Sequence, residues 1–436
     1  EDPFLNQLGV NPVFNLLTST LDDNRKENRT LHLMSEEDAL SKVQKYLHRQ
    51  GIDWLSPIAR KVEREGTPNR RNVVLVFMES MSANLMGTFG SDKKLTPYLD
   101  SLYQQSLSFS HFYSSGIHTN HGIYSTLYSF PAIMKRNAMK GSVIPVYSGL
   151  PTVLQENGYC NLFFMTHESQ YDNMNAFLRT NGFDEIYAQE NYPSEKVVNS
   201  FGVQDDFMYQ YALPILNERA GTGNPFFSVL LSISNHPPYV IPPYFHPHSD
   251  VLEEQIVEYA DWSIRQFMQA AEKQPWFDNT IFVFLGDHGK MVGTPECEMP
   301  QSYNHIPLMI YGKDIKPGVY DGFGGQVDVS PTLLGLLNIS YLQNNFGVNL
   351  LEEERPCMFF TADNLIGARD SVNMFIYSPD SQQEFKYKLE EGKLHAATGT
   401  DEEAFRNLKD YCFSMLQSTE SLVKEHKTLD KVSVKK

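Results

Sequence analysis

Four short apolar runs in this chain each stop at a residue that can do chemistry. Val73-Val74-Leu75-Val76-Phe77 leads into Glu79, and Leu162-Phe163-Phe164-Met165 leads into Thr166-His167. Phe226 to Leu231 continues through Ser232-Ile233-Ser234 into Asn235-His236, and Ile281 to Leu285 runs into Gly286-Asp287-His288-Gly289. Glu79, Asp287 and His288 supply two carboxylates and an imidazole, a donor set suited to a divalent metal of intermediate hardness. A nucleophile is needed beside them. The segment Gly116-Ile117-His118-Thr119-Asn120-His121-Gly122 reads as a loop entering a helix. A hydroxyl at such a junction lies where backbone N–H groups favour negative charge, and a nearby metal would lower its pKa. Thr119 is the choice, with Ser125 and Ser80 as the alternatives.

The elements that must position these residues follow from the same runs. Continuous β-branched and aromatic stretches too short for helices suit strands buried on both faces of a parallel sheet. Helical stretches such as Leu95 to Leu107 and Val251 to Glu272 lie between them, so the fold class is α/β, a mostly parallel sheet sandwiched by helices. Ligands of such sheets bind outside the carboxyl ends of the strands, where all four titratable positions fall. A lone histidine at a strand end is more often structural; four strands ending this way point to one shared site. Ser35 reads as the cap of a helix carrying Leu40, Val43 and Leu47. Beyond about residue 345, Ser371 to Tyr377 and Glu384 to Leu389 read as antiparallel strands with a hairpin turn at Glu390-Glu391-Gly392, and Asp401 to Lys424 as a helix. The division expected is a helical connector over 1–70, a catalytic domain over 71–345 and a small α+β region over 346–436. Asp328 is expected to cap a helix before Pro331, and the Lys-rich tail to fray.

Composition narrows the function. The 436 residues carry 36 Lys+Arg against 53 Asp+Glu, a net charge of −17. That excludes nucleic acid as a partner, because no basic excess is available to displace counterions from phosphates. The four cysteines are far apart with no CxxC pair, which excludes zinc-finger and thioredoxin readings and leaves scattered thiols. No apolar run reaches the ~18–20 residues of a membrane span. The chain opens Glu1-Asp2-Pro3, without Met or a signal segment, and reads as a trimmed piece with a targeting or membrane region upstream.

Several ordered segments carry a resemblance. Val76-Phe77-Met78-Glu79-Ser80, Leu95-Thr96-Pro97-Tyr98-Leu99-Asp100, Gly286-Asp287-His288-Gly289 and Ile306-Pro307-Leu308 are similar to the alkaline phosphatase/sulfatase superfamily. Tyr171-Asp172-Asn173-Met174, Asn181-Gly182-Phe183-Asp184, Phe201-Gly202-Val203-Gln204-Asp205, Ser234-Asn235-His236-Pro237-Pro238-Tyr239 and Val327-Asp328-Val329-Ser330-Pro331-Thr332 narrow it to the lipoteichoic acid synthase-like phosphoglycerol transferases. The resemblance implies that Glu79, Thr119, Asp287 and His288 bind one divalent metal, Mn2+ first, with Mg2+ or Zn2+ as alternatives. It implies Thr119 as a nucleophile that becomes phospho-esterified, and His167, His236, Asn173 and His305 at the substrate. It further implies a phospholipid headgroup donor, a glycan or glycolipid acceptor, and a catalytic domain held outside the cell membrane by transmembrane helices. Asn11-Pro12-Val13-Phe14 resembles the family's juxtamembrane connector.

The chain also departs from the family. The formylglycine motif of true sulfatases is absent around Thr119, and His118, Asn120 and His121 differ from the usual flanks of the synthases. His305 stands where two-metal relatives place a ligand, so a second metal shared with His167 or His236 is weighed against a histidine that only orients substrate. Two competing functions are a hydrolase of phosphate or sulfate esters on the same scaffold, and a non-enzymatic domain that binds a glycan or partner. The intact set of Glu79, Thr119, Asp287 and His288 speaks against the last, since no binding role needs all four.

Overall fold

The computed structural model describes residues 30–141, 144–397 and 402–429. The connector motif at 11–14 and the Lys-rich tail lie outside the described residues. The central sheet has eight strands: β1 (Asn72–Met78), β2 (Leu107–Tyr113), β3 (Cys160–Met165), β4 (Glu185–Tyr187), β5 (Phe226–Leu231), β6 (Thr280–Gly286), β7 (Leu308–Tyr311) and β8 (Gly318–Gly325). Their order across the sheet is β8-β2-β7-β6-β1-β5-β3-β4. All neighbours are parallel except β7, which runs antiparallel to both β6 and β2.

Every residue of β1, β5 and β6 is buried, as expected for strands covered on both faces. Alternation along β1 divides its side chains between two cores. Val73, Leu75 and Phe77 pack on one face with Ile123 and Leu127 of α3 (Thr119–Tyr128), whereas Val74 and Val76 pack on the other with Leu99 of α2 (Pro97–Gln105), Met208 of α4 (Asp205–Ala220) and Ile264 of α5 (Leu252–Ala271). The helix α1 (Glu36–Tyr46) has Ser35 as its cap, accepting from the Asp38 N–H at 3.2 Å. The stretch expected to be helical as far as Leu107 ends at Gln105, and Leu107 opens β2.

The C-terminal region is a five-stranded antiparallel sheet, β9 (Met358–Thr361), β10 (Ile366–Arg369), β11 (Asn373–Ser378), β12 (Gln383–Glu390) and β13 (Lys393–Ala396), with α7 (Glu402–Lys424) against it. Glu391 (φ 51°) and Gly392 (φ 77°) make the tight turn between β12 and β13, the conformation that glycine tolerates best. α1 packs on α7 and joins it through a Lys42–Asp410 ion pair of 2.7 Å. One core runs from Val43 through the sheet to Leu422. Among the described residues no helix is long and apolar enough to cross a membrane, and all four cysteines are free thiols.

Asp328 is not a simple helix cap. No side-chain cap bond reaches α6 (Val329–Leu336). The carboxylate instead accepts from the Gly325 and Val348 N–H groups and from Arg355, with both charged side chains almost fully buried. The local Asp-x-x-Pro pattern looks like a cap, but the partner that claims the carboxylate comes from 27 positions along the chain.

Candidate active site

Parallel strands deliver their carboxyl ends to one edge, and the titratable residues meet there. β1 ends in Glu79, whose N–H donates to Ser232 Oγ beyond the end of β5 at 3.0 Å. The chain turns at Ser80 through a left-handed conformation (φ 51°). That turn lets the Ser80 hydroxyl donate to Glu79 Oε1 at 2.7 Å and its N–H donate to Asp287 Oδ1 at 2.8 Å. β6 delivers Asp287 and His288 alongside. The first turn of α3 lies directly on this strand end, because a Cβ at Gly122 would come within 2.2 Å of the Asp287 carbonyl. Thr119, the first residue of α3, then lies with Oγ1 donating to Glu79 Oε2 over a long 3.5 Å.

The donor atoms of Glu79, Asp287 and His288 lie within 4.8 Å of one another. His288 Nδ1 faces the Gly289 carbonyl at 2.8 Å, which places the ring proton on Nδ1 and leaves the Nε2 lone pair for a ligand. That Nε2 lies 3.5 Å from Asp287 Oδ2 and 3.7 Å from Glu79 Oε1. Asp287 Oδ2 is buried with no hydrogen-bond partner, although Oδ1 accepts from the Ser80 and His288 N–H groups. Burial, reinforced by the neighbouring Asp287 carboxylate, pushes the Glu79 pKa well above its ordinary value. Two buried carboxylates, one with an orphaned oxygen aimed at an imidazole lone pair, are costly without a cation. The residues present fit a divalent metal.

His167 and His236 are brought to the same cleft, about 260 Å3, with Ser80, Thr119 and His288. Each commits Nδ1 to a backbone carbonyl, His167 to Glu168 at 2.9 Å and His236 to Pro237 at 2.6 Å, so Nε2 is the nitrogen left for a ligand. Burial lowers the His167 pKa. The His236 ring rests on Phe201 at 4.3 Å and His167 on Tyr171 at 4.9 Å.

Three candidates stand elsewhere. Asn173, in a left-handed turn (φ 63°), donates Nδ2 to the Met139 carbonyl at 2.7 Å and does not line the cleft; its neighbours Tyr171 and Asp172 do. His305 is half-buried between Tyr113 and Phe89 with Nε2 on the Ser110 carbonyl at 2.9 Å, and burial lowers its pKa to about 4. It reaches neither the cleft nor the carboxylate cluster. Ser125 is buried inside α3, away from the cleft.

Other residues at the site carried weaker sequence signals. Lys290, directly after Gly286-Asp287-His288-Gly289, donates Nζ to Asn235 Oδ1 at 2.6 Å, and Asn235 Nδ2 donates to the Glu79 and Ser80 carbonyls at 3.1 and 3.2 Å. Burial lowers Lys290 to about 8. Asp205 accepts from the Ile233 and Ser234 N–H groups at 2.8 and 3.1 Å, fixing the loop that carries His236. His118 lines the cleft beside Thr119 and pairs with Asp363, on the turn between β9 and β10, at 2.6 Å.

A mostly parallel sheet bearing this cluster beside a helix-start hydroxyl defines the alkaline phosphatase superfamily. The chain belongs to its sulfatase family: residues 71–339 match the family described as Sulfatase. Among curated proteins it is similar to the lipoteichoic acid synthase-like YvgJ of Bacillus subtilis, 25% identical over 362 residues covering 75% of this chain and 56% of that protein. The lipoteichoic acid synthase of Staphylococcus aureus is 23% identical over 400 residues, covering 81% and 58%. The chain thus spans little more than half the length of these relatives. Among solved structures, a protein of the alkaline phosphatase superfamily from Vibrio parahaemolyticus superposes with a TM-score of 0.83 at 25% identity, covering 93% of this chain and all of that one. The lipoteichoic acid synthase LtaP of Listeria monocytogenes does so with 0.72 at 22% identity, covering 88% and 98%.

Proposed function

We propose that this chain is the catalytic part of a metal-dependent, membrane-anchored transferase that moves a phosphoglycerol-type headgroup from a phospholipid to an envelope acceptor outside the cytoplasm. The observation that carries the reading is Thr119, a hydroxyl at a helix N-terminus 3.5 Å from a buried carboxylate that belongs to the Glu79, Asp287 and His288 cluster. Those three residues with Thr119 would hold one divalent ion, Mn2+ in the first instance, which when bound neutralises phosphoryl oxygens and makes the Thr119 hydroxyl more acidic.

Thr119 Oγ attacks the phosphorus of the phosphodiester. A new P–O bond to Thr119 forms as its Oγ gives up its proton, the P–O bond to diacylglycerol breaks, and the departing oxygen takes up a proton in exchange. The N–H groups of the first turn of α3 face the developing charge. His167 and His236 offer Nε2 to a phosphoryl oxygen or to the leaving oxygen. In a second displacement an acceptor hydroxyl on a glycan or glycolipid attacks the phosphothreonine, its proton is released, and Thr119 regains its hydroxyl. The segment that enters the cleft from the end of β5 suits a lipid donor: from Ser232 to Ser249 it has no Asp, Glu, Lys or Arg, and Pro237, which lines the cleft, is exposed together with Pro238.

Family membership favours one second reading, hydrolysis of a phosphate or sulfate ester with water as acceptor. Headgroup-labelled phosphatidylglycerol, incubated with Mn2+ with and without a glycolipid acceptor, separates the two. Acceptor-dependent product supports transfer; free headgroup phosphate that ignores the acceptor supports hydrolysis. Thr119→Ala is expected to abolish both turnover and any covalent phospho-adduct seen by intact mass, and an undiminished rate would remove Thr119 as nucleophile.

A further inference from the structure

The segment that carries His236 is gripped at both ends by one ammonium. Lys290 Nζ donates to Asn235 Oδ1 at 2.6 Å and lies 5.5 Å from the ring centre of Tyr239. Those two residues bracket His236 and Pro237, which line the cleft. The ammonium stands on a fixed base. Ser82 Oγ, in the loop after β1, accepts from the Lys290 N–H at 2.8 Å. A Cβ at the preceding Gly289 would come within 2.0 Å of the Ser302 carbonyl, so the backbone there is closely packed. Asn235 is buried, and its Nδ2 spans the Glu79 and Ser80 carbonyls, which turns its Oδ1 toward Lys290. An amide oxygen and a ring face thus hold this half-buried cation. Cation–ring attraction of this kind strengthens as water is excluded.

We propose that Lys290 is a positioning residue for His236: by holding both ends of residues 235–239 it sets where the imidazole meets the substrate. The His236 ring is itself held by the Pro237 carbonyl, within the same segment, and by the face of Phe201. Its place in the cleft therefore follows the backbone of the segment. Asp205 fixes the entry at Ile233 and Ser234, and Lys290 fixes the stretch beyond it. Three loops meet in the clamp, those after β1, β5 and β6, so His236 is registered against Glu79 and His288 through one side chain. Lys290 stays outside the cleft lining and acts only through His236, so the proposal stands on the substrate role proposed for that histidine.

The test is a double-variant cycle on Lys290→Met and His236→Ala. It is read as consumption of headgroup-labelled phosphatidylglycerol with Mn2+, which counts transfer and hydrolysis alike. Lys290→Met should lower kcat about tenfold or more in the wild-type background. In the His236→Ala background the same change should cost less than about twofold, because the residue it positions is gone. Lys290→Arg keeps a cation over the Tyr239 ring and should recover part of the loss. Mn2+ affinity by calorimetry and the unfolding midpoint should stay close to wild type in Lys290→Met. Equal losses in the two backgrounds, or a matching fall in Mn2+ affinity, would overturn the proposal and make Lys290 a support of the fold or of the carboxylate cluster. Undiminished turnover in His236→Ala would instead remove the substrate role of His236, and this proposal with it.

Discussion

The backbone N–H of Ser80 donates to Asp287 Oδ1 at 2.8 Å, tying the end of one central strand to the end of its parallel neighbour. The same residue's hydroxyl holds Glu79 Oε1 at 2.7 Å. One left-handed residue thus turns one oxygen of each carboxylate toward the protein and leaves Glu79 Oε2 facing Thr119 and Asp287 Oδ2 facing His288. The arrangement stores electrostatic cost in the metal-free protein, since two buried carboxylates are held together before any cation arrives.

That cost makes a prediction with opposite signs for stability and function. Glu79→Gln keeps an oxygen for Ser80 but removes one buried charge. In chelator-treated protein it is expected to raise stability by about 1 kcal/mol or more, read as a higher unfolding midpoint. Mn2+ affinity, measured by calorimetry, should fall by more than the roughly 10–100-fold typical for loss of an outer partner. A variant less stable than the metal-free wild type would contradict the picture of a destabilised cluster.

Asp205 makes the His236 loop testable. Asp205→Ala would leave the Ile233 and Ser234 N–H groups without their acceptor, at a cost of about 1–3 kcal/mol. With the loop released, kcat/KM for the phospholipid should drop about tenfold or more. Asp205→Asn retains an acceptor oxygen and should recover part of both. Equal loss in the two variants would mean that the charge, and not the loop anchor, matters.

Much of this site was legible because parallel strands buried on both faces leave an unusual trace: an unbroken apolar run that stops at the functional edge. Glu79, His167, His236, Asp287 and His288 all follow such runs. Strand β2 left no such trace, since Leu-Ser-Phe-Ser-His-Phe-Tyr alternates with polar residues and continues directly from a helix. His305 shows a different limit. It lies beside β7, whose first residue pairs with Leu285 at the functional edge, yet its ring turns inward between Tyr113 and Phe89. Position along a strand is written in local sequence; the direction of a loop side chain depends on what packs against it. Asn173 fails for the same reason, and the Lys290–Asn235 link joins residues 55 positions apart.

Arg355 and Asp328 pin the C-terminal region to the sheet. The guanidinium donates Nη2 to Asp328 Oδ1 at 2.6 Å and Nη1 to the Tyr411 hydroxyl of α7 at 2.7 Å, all three residues buried. Arg355→Met is expected to cost about 3–5 kcal/mol by leaving a buried carboxylate unpaired. Adding Asp328→Leu should not restore stability, because the Gly325 and Val348 N–H groups would lose their acceptor. Urea unfolding of the two variants reads both outcomes, and a double variant as stable as wild type would show that the backbone bonds to Asp328 contribute little.

His305 sets an acid limit on the fold. Burial, aided by the nearby Arg369 and His111 charges, lowers its pKa from 6.5 to about 4. The folded state therefore binds this proton less readily than the unfolded chain, whose histidine titrates near 6.5. Stability from the neutral ring is fully present above pH 6.5 and is lost as pH falls toward 4, a swing on the order of 3 kcal/mol. His305→Phe keeps an aromatic ring between Tyr113 and Phe89 while removing the titration. It gives up the bond to the Ser110 carbonyl, so it should be less stable than wild type at pH 7 by about 1 kcal/mol. Between pH 7 and 4.5 its urea midpoint should fall less steeply than that of wild type. His121, held by burial at about 3, would supply part of the remaining slope. Parallel pH profiles for wild type and His305→Phe would show that His305 is not the residue setting the limit.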